Sequence, residues 1–360
     1  MTTKILRELY YNPENPSSFG SIKNLYDAGK LKNPNIRLND VKDFLSSEPT
    51  YTLHRPARRN YKRERIFVTE PNEQFQADLV DMQPFSRKNN GNKYILTVID
   101  CFSKYAFAVP VKNKGGVEIR NALKTVFNER KPQKLQTDRG KEFLNSVVQS
   151  YLKENEVQFF TTFNSTFKCA IVERFNRTLK SKMYKYFTAK GTRKYVDVLP
   201  KLLKSYNNSY HRTIKDIPSN VNDSNKERIF KNIYGVDNER EYLSRDKPEP
   251  RLKPGDKVRR KYELTLMDKS FYPTWSDVIY DIKESIKGPM YKLSLDDEVL
   301  PQRFYPEEVQ KIKESTYRIE KIIKRQTRQG VRGYVVKWVG YSDRHNSWIP
   351  ETSVENVGRY

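Results

Sequence analysis

Short runs of alternating apolar and polar residues dominate the chain between residues 71 and 161. Most are rich in β-branched and aromatic side chains, none contains glycine, and turn-forming segments separate them, so they indicate strands. The predicted strands lie at residues 75–82, 93–100, 105–111, 134–137 and 157–161. Apolar residues at helical spacing predict helices at 118–127, 142–155 and 170–187. This mixed order predicts an α/β core whose sheet carries helices on its faces.

The pattern changes on both sides of this core. Before it, two amphipathic patterns at 21–30 and 39–47, the second with Asn39 as a plausible N-cap, suit either a small helix-turn-helix module or a helical cap without DNA contact. After it, a helical pattern at 192–217 precedes a polar, linker-like stretch, then short β-runs with glycine and proline turns, then an aromatic-rich end. The predicted segments are a helical module at 1–53, a basic linker at 54–70, the core at 71–217, a linker at 218–250, a β-barrel at 251–312 and a C-terminal unit at 313–360.

Charge narrows the class of partner. The chain has 68 Lys and Arg against 44 Asp and Glu, a net charge of +24, which favours nucleic acid through phosphate neutralisation. The basic linker is expected to lie along a DNA backbone through Arg55, Arg58, Arg59, Lys62 and Arg63. Low hydropathy leaves no run that could span a bilayer, so no membrane partner is expected.

Cysteine and histidine are scarce. Two cysteines and an N-terminus without the apolar segment of a signal peptide favour a reducing, intracellular setting. Three histidines, far apart, cannot assemble a Cys/His zinc site at recognisable spacing, so no zinc is expected.

Three carboxylates occupy contexts that can converge. Asp78 lies inside a predicted strand, Asp138 where a strand ends, and Glu173 in a helix. Such a set suits two hard cations held about 3.5–4 Å apart, and Mg²⁺ prefers oxygen ligands. Three other acidic residues are expected to lie outside this set: Asp81, Asp100 and Glu142.

Basic and polar side chains surround the three carboxylates. Arg139, Glu142 and Asn176 are expected to line the site, either touching DNA or holding the carboxylates. Arg174, Arg177 and Lys180 are either a solvated helix face or, as the basic charge favours, contacts to DNA phosphates. His211 indicates a helix-end cap or packing contact rather than a general base.

The core resembles the retroviral-type integrase and transposase superfamily with a ribonuclease H-like fold. The resemblance rests on Gln74-Phe-Gln-Ala-Asp-Leu79, Thr97-Val-Ile-Asp-Cys-Phe-Ser-Lys-Tyr105, Gln136-Thr-Asp-Arg-Gly-Lys-Glu-Phe143 and Val172-Glu-Arg-Phe-Asn-Arg-Thr-Leu-Lys180. It implies that Asp78, Asp138 and Glu173 are the catalytic and metal-binding triad. It also implies two Mg²⁺ ions, or Mn²⁺ in their place, DNA ends and target DNA as substrates, and a homo-oligomer that is a tetramer by analogy.

The flanks refine the resemblance. Retroviral integrases carry an N-terminal zinc module, whereas residues 18–58 look like the integrases of Maverick or Polinton DNA transposons. Tyr272-Pro-Thr-Trp-Ser-Asp-Val278 and Arg303-Phe-Tyr-Pro-Glu-Glu-Val309 resemble the SH3-like domain of those proteins. This resemblance implies 3′-end processing of element ends and their transfer into target DNA.

The C-terminal unit looks like a chromodomain. The matching runs are Thr316-Tyr-Arg-Ile-Glu-Lys-Ile-Ile-Lys-Arg325, Gly333-Tyr-Val-Val-Lys-Trp-Val-Gly-Tyr341 and Asn346-Ser-Trp-Ile-Pro-Glu351, in the order strand, strand and start of a helix. The resemblance implies a methyl-lysine cage of Tyr317, Trp338 and Tyr341, a methylated histone tail as partner, and a nuclear location. The alternatives are a chromodomain-bearing retrotransposon integrase and a catalytically silent, domesticated DNA- or chromatin-binding protein.

Overall fold

The computed structural model describes most of the chain and divides it into two compact units. The described residues are 2–58, 61, 63, 65–161, 169–245, 249–262, 271–286, 288, 290–313 and 317–354. The first unit joins the two ends of the chain, residues 1–62 and 247–360, and the second is the intervening stretch of 63–246.

The first unit begins with a helical module. Its helices are α1 Thr2–Tyr11, α2 Ile22–Lys32, α3 Leu38–Ser47 and α4 Pro49–His54. They enclose a core formed by Leu6, Leu9, Tyr10, Leu25, Ile36, Val41, Phe44 and Leu45. The N-cap prediction at Asn39 is wrong, because α3 follows Arg37, whose backbone N–H donates to Asp40 Oδ2 at 2.8 Å.

The second unit is built on one mixed sheet. Its strands are β1 Gln74–Asp81, β2 Tyr94–Asp100, β3 Ala106–Val111, β4 Lys134–Thr137 and β5 Gln158–Thr161. In the order β3-β2-β1-β4-β5, the first three strands are antiparallel and the last two run parallel to β1. The predicted α/β core is confirmed, and β1 is its central strand.

Helices cover both faces of this sheet. They are α5 Gly116–Glu129, α6 Lys141–Leu144, α7 Ser146–Glu154, α8 Ala170–Lys190 and α9 Leu199–Asn207. Because strand side chains alternate, Phe75 and Ala77 enter the core on the α5 and α7 side, whereas Val80 faces α8. Asp78 shares the parity of Val80 and therefore also faces α8.

Two predicted helices differ from the structure. The helix expected at 142–155 is broken at Asn145, whose side chain accepts from the Val148 N–H at 3.1 Å and starts α7. In the segment 192–217, the helix predicted to end near Asn207 does end there, but it begins only at Leu199. Beyond it, a bridge between His211 and Asp216 interrupts the chain.

The predicted linker at 218–250 needs a similar correction. It contains α10 Lys226–Tyr234 and α11 Glu239–Ser244. One buried cluster joins α10 to Val68 and Phe102 of the core unit. Its members on α10 are Ile229, Phe230, Ile233 and Tyr234. Four apolar residues in a polar stretch are thus enough to make it part of the core unit rather than a linker.

The first unit continues as an antiparallel barrel-like sheet. Its strands are β6 Lys257–Lys261, β7 Trp275–Ile286, β8 Met290–Leu295, β9 Glu298–Phe304 and β10 Val309–Lys311, in the order β10-β6-β7-β8-β9. The Thr274 N–H donates to the Leu53 carbonyl at 2.8 Å and Trp275 Nε1 to the Arg55 carbonyl at 2.7 Å, so the barrel packs on the end of the helical module.

The C-terminal unit is a three-stranded meander. Its strands are β11 Ile319–Arg328, β12 Val331–Trp338 and β13 Ser347–Pro350. The helix expected to begin within 346–351 is wrong there: the segment forms β13 and then a single 3₁₀ turn at Glu351–Ser353. Of the helices in the described ranges, none is long and apolar enough to cross a membrane.

Candidate active site and aromatic cage

A buried glutamine network sets the start of α8 against the central strand. Gln76 is fully buried on β1, and its Oε1 accepts the N–H groups of Ile171 and Val172 at 3.0 and 3.1 Å. Its Nε2 donates to Gln136 Oε1 of β4 at 2.8 Å. The first N–H groups of a helix lack partners within the helix, so Gln76 acts as a cap supplied from the sheet. This contact fixes the first turn of α8, which carries Glu173.

Asp78 lies two residues beyond Gln76 on the same face of β1. Its Oδ1 accepts from the Leu79 N–H and its Oδ2 from Asn176 Nδ2, both at 2.8 Å. Burial raises the pKa of the Asp78 carboxyl above its usual value, and the carboxylates of Asp138 and Glu173 raise it further, against these two hydrogen bonds. The central carboxylate therefore lies in a field of negative charge.

The same three carboxylates also act on a cysteine thiol. Cys169, buried next to the start of α8, has a thiol whose pKa burial raises to about 12, with further increases from Asp138, Asp78 and Glu173. Asp138 itself is exposed beyond β4, and its Oδ1 accepts from the Gly140 N–H at 3.0 Å. Gln76 pairs with Gln136 across β1 and β4, so Asp78 and Asp138 each lie two residues beyond that pair, and Asn176, three residues after Glu173 on α8, contacts Asp78.

The donor set of this place fits a hard cation. It offers three carboxylates, and Asn176 adds a buried Oδ1 that has no hydrogen-bond partner among the residues that the structure describes. These oxygen donors are of the kind that Mg²⁺ prefers. Within the described ranges, no three His, Cys, Asp or Glu side chains are gathered closely enough to hold a metal ion.

Basic side chains border the carboxylates. Arg139 directly follows Asp138 and is exposed. Arg174, Arg177 and Lys180 are exposed on α8, and in the described part of the chain their side chains form no ion pair. Glu142, by contrast, is held by Lys114 at 3.3 Å, away from a ligand role.

The other acidic candidates have structural roles. Asp100 is fully buried and accepts from Ser103 Oγ at 2.5 Å and from the Phe102 N–H at 3.0 Å, which closes the turn after β2. Asp81 is exposed and accepts from the Gln83 N–H at 2.8 Å. His211 Nδ1 accepts from the Thr213 N–H at 3.3 Å, and burial lowers its pKa to about 4, which suits a neutral packing residue.

The predicted basic linker is only partly described. Arg59 and Lys62 lie outside the described residues. Arg58 approaches Glu307 at 3.9 Å, and Arg55 contacts the barrel through its backbone carbonyl. Arg63 lies at the start of the second unit. DNA contact by these residues stays a prediction.

The three cage aromatics cluster as expected from the sequence. The Tyr317 ring centroid lies 5.8 Å from that of Trp338 and 5.9 Å from that of Tyr341, with tilted or edge-on planes. Trp338 Nε1 donates to Ser347 Oγ at 2.8 Å, which fixes the indole. Tyr341 accepts the Ile279 N–H through its hydroxyl at 2.8 Å. The rings bound a cavity of about 310 Å³.

Sequence reasoning missed two groups of site residues. Gln76 and Gln136 lie inside the stretches that resemble integrases, but they are uncharged and do not belong to an apolar pattern of helical or strand spacing. Asp281 and Asp296 of the barrel line the cage cavity although they are remote from it in sequence. No pattern in the sequence pointed to Gln76, because its neighbours on the same strand face, Gln74 and Asp78, are also polar.

Two stretches of the chain match known domain families. Residues 68–163 match the integrase core domain, and residues 317–359 match the chromodomain, described as a chromatin organisation modifier domain. The first match covers β1 to β5 and contains Asp78 and Asp138; the second contains the three cage residues.

Similar proteins come from transposons and retroviruses. An uncharacterised transposon-derived protein of Caenorhabditis elegans is 36% identical over 205 residues, 55% of this chain and 65% of that protein. A retrovirus-related Pol polyprotein from a Drosophila melanogaster transposon is 36% identical over 94 residues, 25% of this chain and 9% of the polyprotein. The chain therefore spans less than two thirds of these relatives.

A solved structure shares the fold. A chain of the simian T-cell lymphotropic virus intasome, in complex with a PP2A regulatory subunit, aligns with a TM-score of 0.56 at 14% identity, covering 80% of this chain and 94% of that one. At this identity the likeness concerns the fold alone. The chain thus matches the integrase core domain over residues 68–163 and the chromodomain over residues 317–359, shares the fold of that intasome chain, and is similar to a transposon-derived protein.

Proposed function

We propose that this protein is a transposon integrase that processes the 3′ ends of its element and transfers them into target DNA. The observation that carries the proposal is the placement of the carboxylates: Asp78 and Asp138 each lie two residues beyond the paired Gln76 and Gln136, and Asn176, three residues after Glu173, donates to Asp78 at 2.8 Å. A protein gathers uncompensated like charge at a cost, and a cation-dependent site is the reason that fits an integrase core domain.

The residues divide the work by position. Asp78 and Asp138 would hold one divalent cation, and Asp78 with Glu173 the second. When bound, such cations would supply activation of the attacking water or 3′-hydroxyl and would neutralise charge on the leaving oxygen. Asn176 orients Asp78 through its 2.8 Å hydrogen bond, and Gln76 keeps Glu173 in register with it. Positioning and charge neutralisation then account for most of the rate.

DNA binding is proposed for the exposed cations around the site. Arg139, Arg174, Arg177 and Lys180 would contact phosphates, as would the basic linker, in keeping with the net charge of +24. Because two DNA ends must be joined to one target, we propose a multimer, with a tetramer as the working assembly, acting in the nucleus.

Two kinds of element remain as the source. The helical module without zinc ligands favours a Maverick or Polinton transposon. The similarity to a Pol polyprotein favours a chromodomain-bearing retrotransposon instead. The two differ in their terminal repeats, so the element sequence that flanks the gene separates them.

A second activity is proposed for the C-terminal unit. Three aromatic rings around a cavity suit a methylated ammonium, with cation–π attraction of roughly 0.5–2 kcal/mol for each ring. The unit would then direct integration to chromatin whose histone tails carry methyl-lysine.

Strand transfer in solution tests the first activity. Full-length protein with Mg²⁺ or Mn²⁺ should nick oligonucleotides of the element end near the 3′ terminus and join them to a second duplex. Asp78→Asn and Asp138→Asn should each abolish both steps. Asp81→Asn is the matched control, because Asp81 lies on the same strand but is exposed and keeps its acceptor for Gln83 as an amide.

The outcomes separate the hypotheses. Loss of activity in all three variants would point to a general folding defect and remove support for the triad. An inactive wild type, across varied ends and both metals, would favour a silent DNA- or chromatin-binding protein.

A further inference from the structure

The aromatic cage opens onto the barrel rather than onto the meander alone. Its cavity of about 310 Å³ is lined by the cage rings together with residues of β6, β7 and the β8–β9 turn. The barrel residues concerned are Lys257, Ile279, Asp281, Leu295 and Asp296. The cavity is therefore shared between two β-structures of the same unit.

Three contacts fix the meander against the barrel at this point. The Tyr341 hydroxyl accepts from the Ile279 N–H at 2.8 Å, and its ring packs on the barrel core. Arg318 Nε donates to Asp277 Oδ1 at 2.5 Å, and the Asp277 side chain is only 6% exposed. Gly340 has a φ of +79°, and a Cβ there would lie 3.2 Å from Val278 Cγ2. One wall of the cage is thus built into the barrel.

The barrel brings two carboxylates to the cavity. Asp281 lies on β7, and Asp296 lies in the two-residue turn that joins Leu295 to Glu298. Asp296 and Asp297 have φ angles of 49° and 64°, the left-handed geometry of a tight hairpin turn, which holds Asp296 in place. The side chains are 44% and 56% exposed for Asp281 and Asp296, so a ligand can reach both.

Each carboxylate keeps spare acceptor capacity. Asp281 pairs with Lys257 at 3.1 Å. Asp296 lies 3.3 Å from His345 Nε2 and 3.8 Å from Arg344 Nη2. A carboxylate has about four acceptor positions, so these partners leave room for another donor.

We propose that the barrel and the cage form one composite site that prefers lysine carrying one or two methyl groups. A mono- or dimethylammonium retains an N–H that can donate to Asp281 or Asp296 while its methyl groups face the rings. A trimethylammonium has no N–H and gains only the cation–π part. An unmodified ammonium is more strongly hydrated and fills the aromatic cavity poorly. This preference rests on the proposed methyl-lysine recognition.

Peptide titration of the full-length chain tests the preference. Fluorescent histone-tail peptides with one lysine in the unmodified, mono-, di- and trimethylated form would be titrated by anisotropy. The lower methylation states should bind about 3- to 10-fold tighter than the trimethylated form. Asp281→Asn and Asp296→Asn should each reduce that ratio, and together remove it.

Asp297→Asn is the matched control. Asp297 shares the turn and the left-handed conformation of Asp296, but its side chain is 99% exposed and does not line the cavity. Asparagine tolerates that conformation as aspartate does, so both variants keep the turn.

The failures of the two ideas are distinct. Methyl-dependent binding with equal or greater affinity for trimethyl-lysine would overturn the composite site and leave the cage intact. An Asp297→Asn variant that loses the preference as Asp296→Asn does would also overturn it. Binding that ignores methylation altogether would refute methyl-lysine recognition itself, and the preference with it.

Discussion

The proposed carboxylate site of the core and the proposed aromatic cage of the first unit would both receive cations, yet they are arranged in opposite ways. At the core, Asp78 faces two further carboxylates, and its hydrogen bonds come from the neutral Leu79 N–H and Asn176 amide. At the cage, each nearby carboxylate already has a basic partner, and neutral rings form the walls.

The difference concerns what holds each site in shape. Packing and hydrogen bonds fix the cage rings, so the cavity exists before a ligand arrives. The carboxylates of the core repel one another, so under the proposed function their arrangement would depend on a bound cation. The cage is expected to select its ligand by shape, and the carboxylate site by charge.

The strongest test of this comparison uses two variants, each of which should remove one activity and leave the other unchanged. Glu173→Gln should lower strand transfer by at least about 10²–10³-fold, since a charged ligand is lost from the site, and leave peptide binding unchanged. Trp338→Ala should weaken methyl-lysine peptide binding by roughly 30-fold, about 2 kcal/mol, and leave strand transfer unchanged. Parallel joining and anisotropy assays measure both. A variant that loses both activities would show that the two sites are not independent.

Alanine substitution at two glycines tests whether the cage is formed before a ligand binds. Gly340 and Gly330 both have a φ of +79°, but a Cβ would meet Val278 only at Gly340. We expect Gly330→Ala to cost about 1 kcal/mol of unfolding free energy from backbone strain alone. Gly340→Ala should cost about 2 kcal/mol and also weaken peptide binding, because the cage wall shifts. Urea denaturation and anisotropy measure the two effects, and equal behaviour of both variants would argue against a barrel-supported cage.

Repulsion among the carboxylates of the core predicts a smaller effect, on the free energy of unfolding. Folding raises the pKa of Asp78, so the folded state favours the protonated carboxyl. Above the usual pKa of aspartate, the ionised carboxylate therefore lowers the free energy of unfolding. This destabilisation disappears as the pH falls below that usual pKa. At neutral pH, Mg²⁺ at ten times its dissociation constant should stabilise the wild type by about 1.4 kcal/mol. Asp78→Asn should stabilise the metal-free protein slightly and remove most of the Mg²⁺ response.

Thermal denaturation with and without Mg²⁺ at neutral pH measures that effect. Asp81→Asn serves again as the control and should keep the full response. An Asp78→Asn protein that melts earlier than the wild type without metal would contradict the view that like charge destabilises this site.

The sequence allowed much of the core to be predicted, because its strands are apolar runs rich in β-branched and aromatic residues that turn-forming segments separate. β4 was predicted without error at 134–137, and the starts of β2 and β3 to within one residue. What local pattern could not supply was long-range contact. The cap from Gln76 to α8 joins residues 95 apart in sequence, and no periodicity reports it.

The errors have the same origin. Residues 218–250 have the composition of a linker, and only the pocket offered by Val68 and Phe102 explains why α10 is buried. The carboxylates of the cage cavity were missed because they belong to a β-structure that the sequence separates from the cage aromatics.

The junction of Leu53 with Thr274 has a consequence for the order of synthesis. A hydrogen bond joins these residues although the whole core unit lies between them in the chain. The helical module is synthesised before the core unit, and its barrel is synthesised after it. The module can therefore contact the barrel only after residues 63–246 have had time to fold as a unit. A chain interrupted after the core would therefore carry a complete active-site scaffold and an unfinished partner unit.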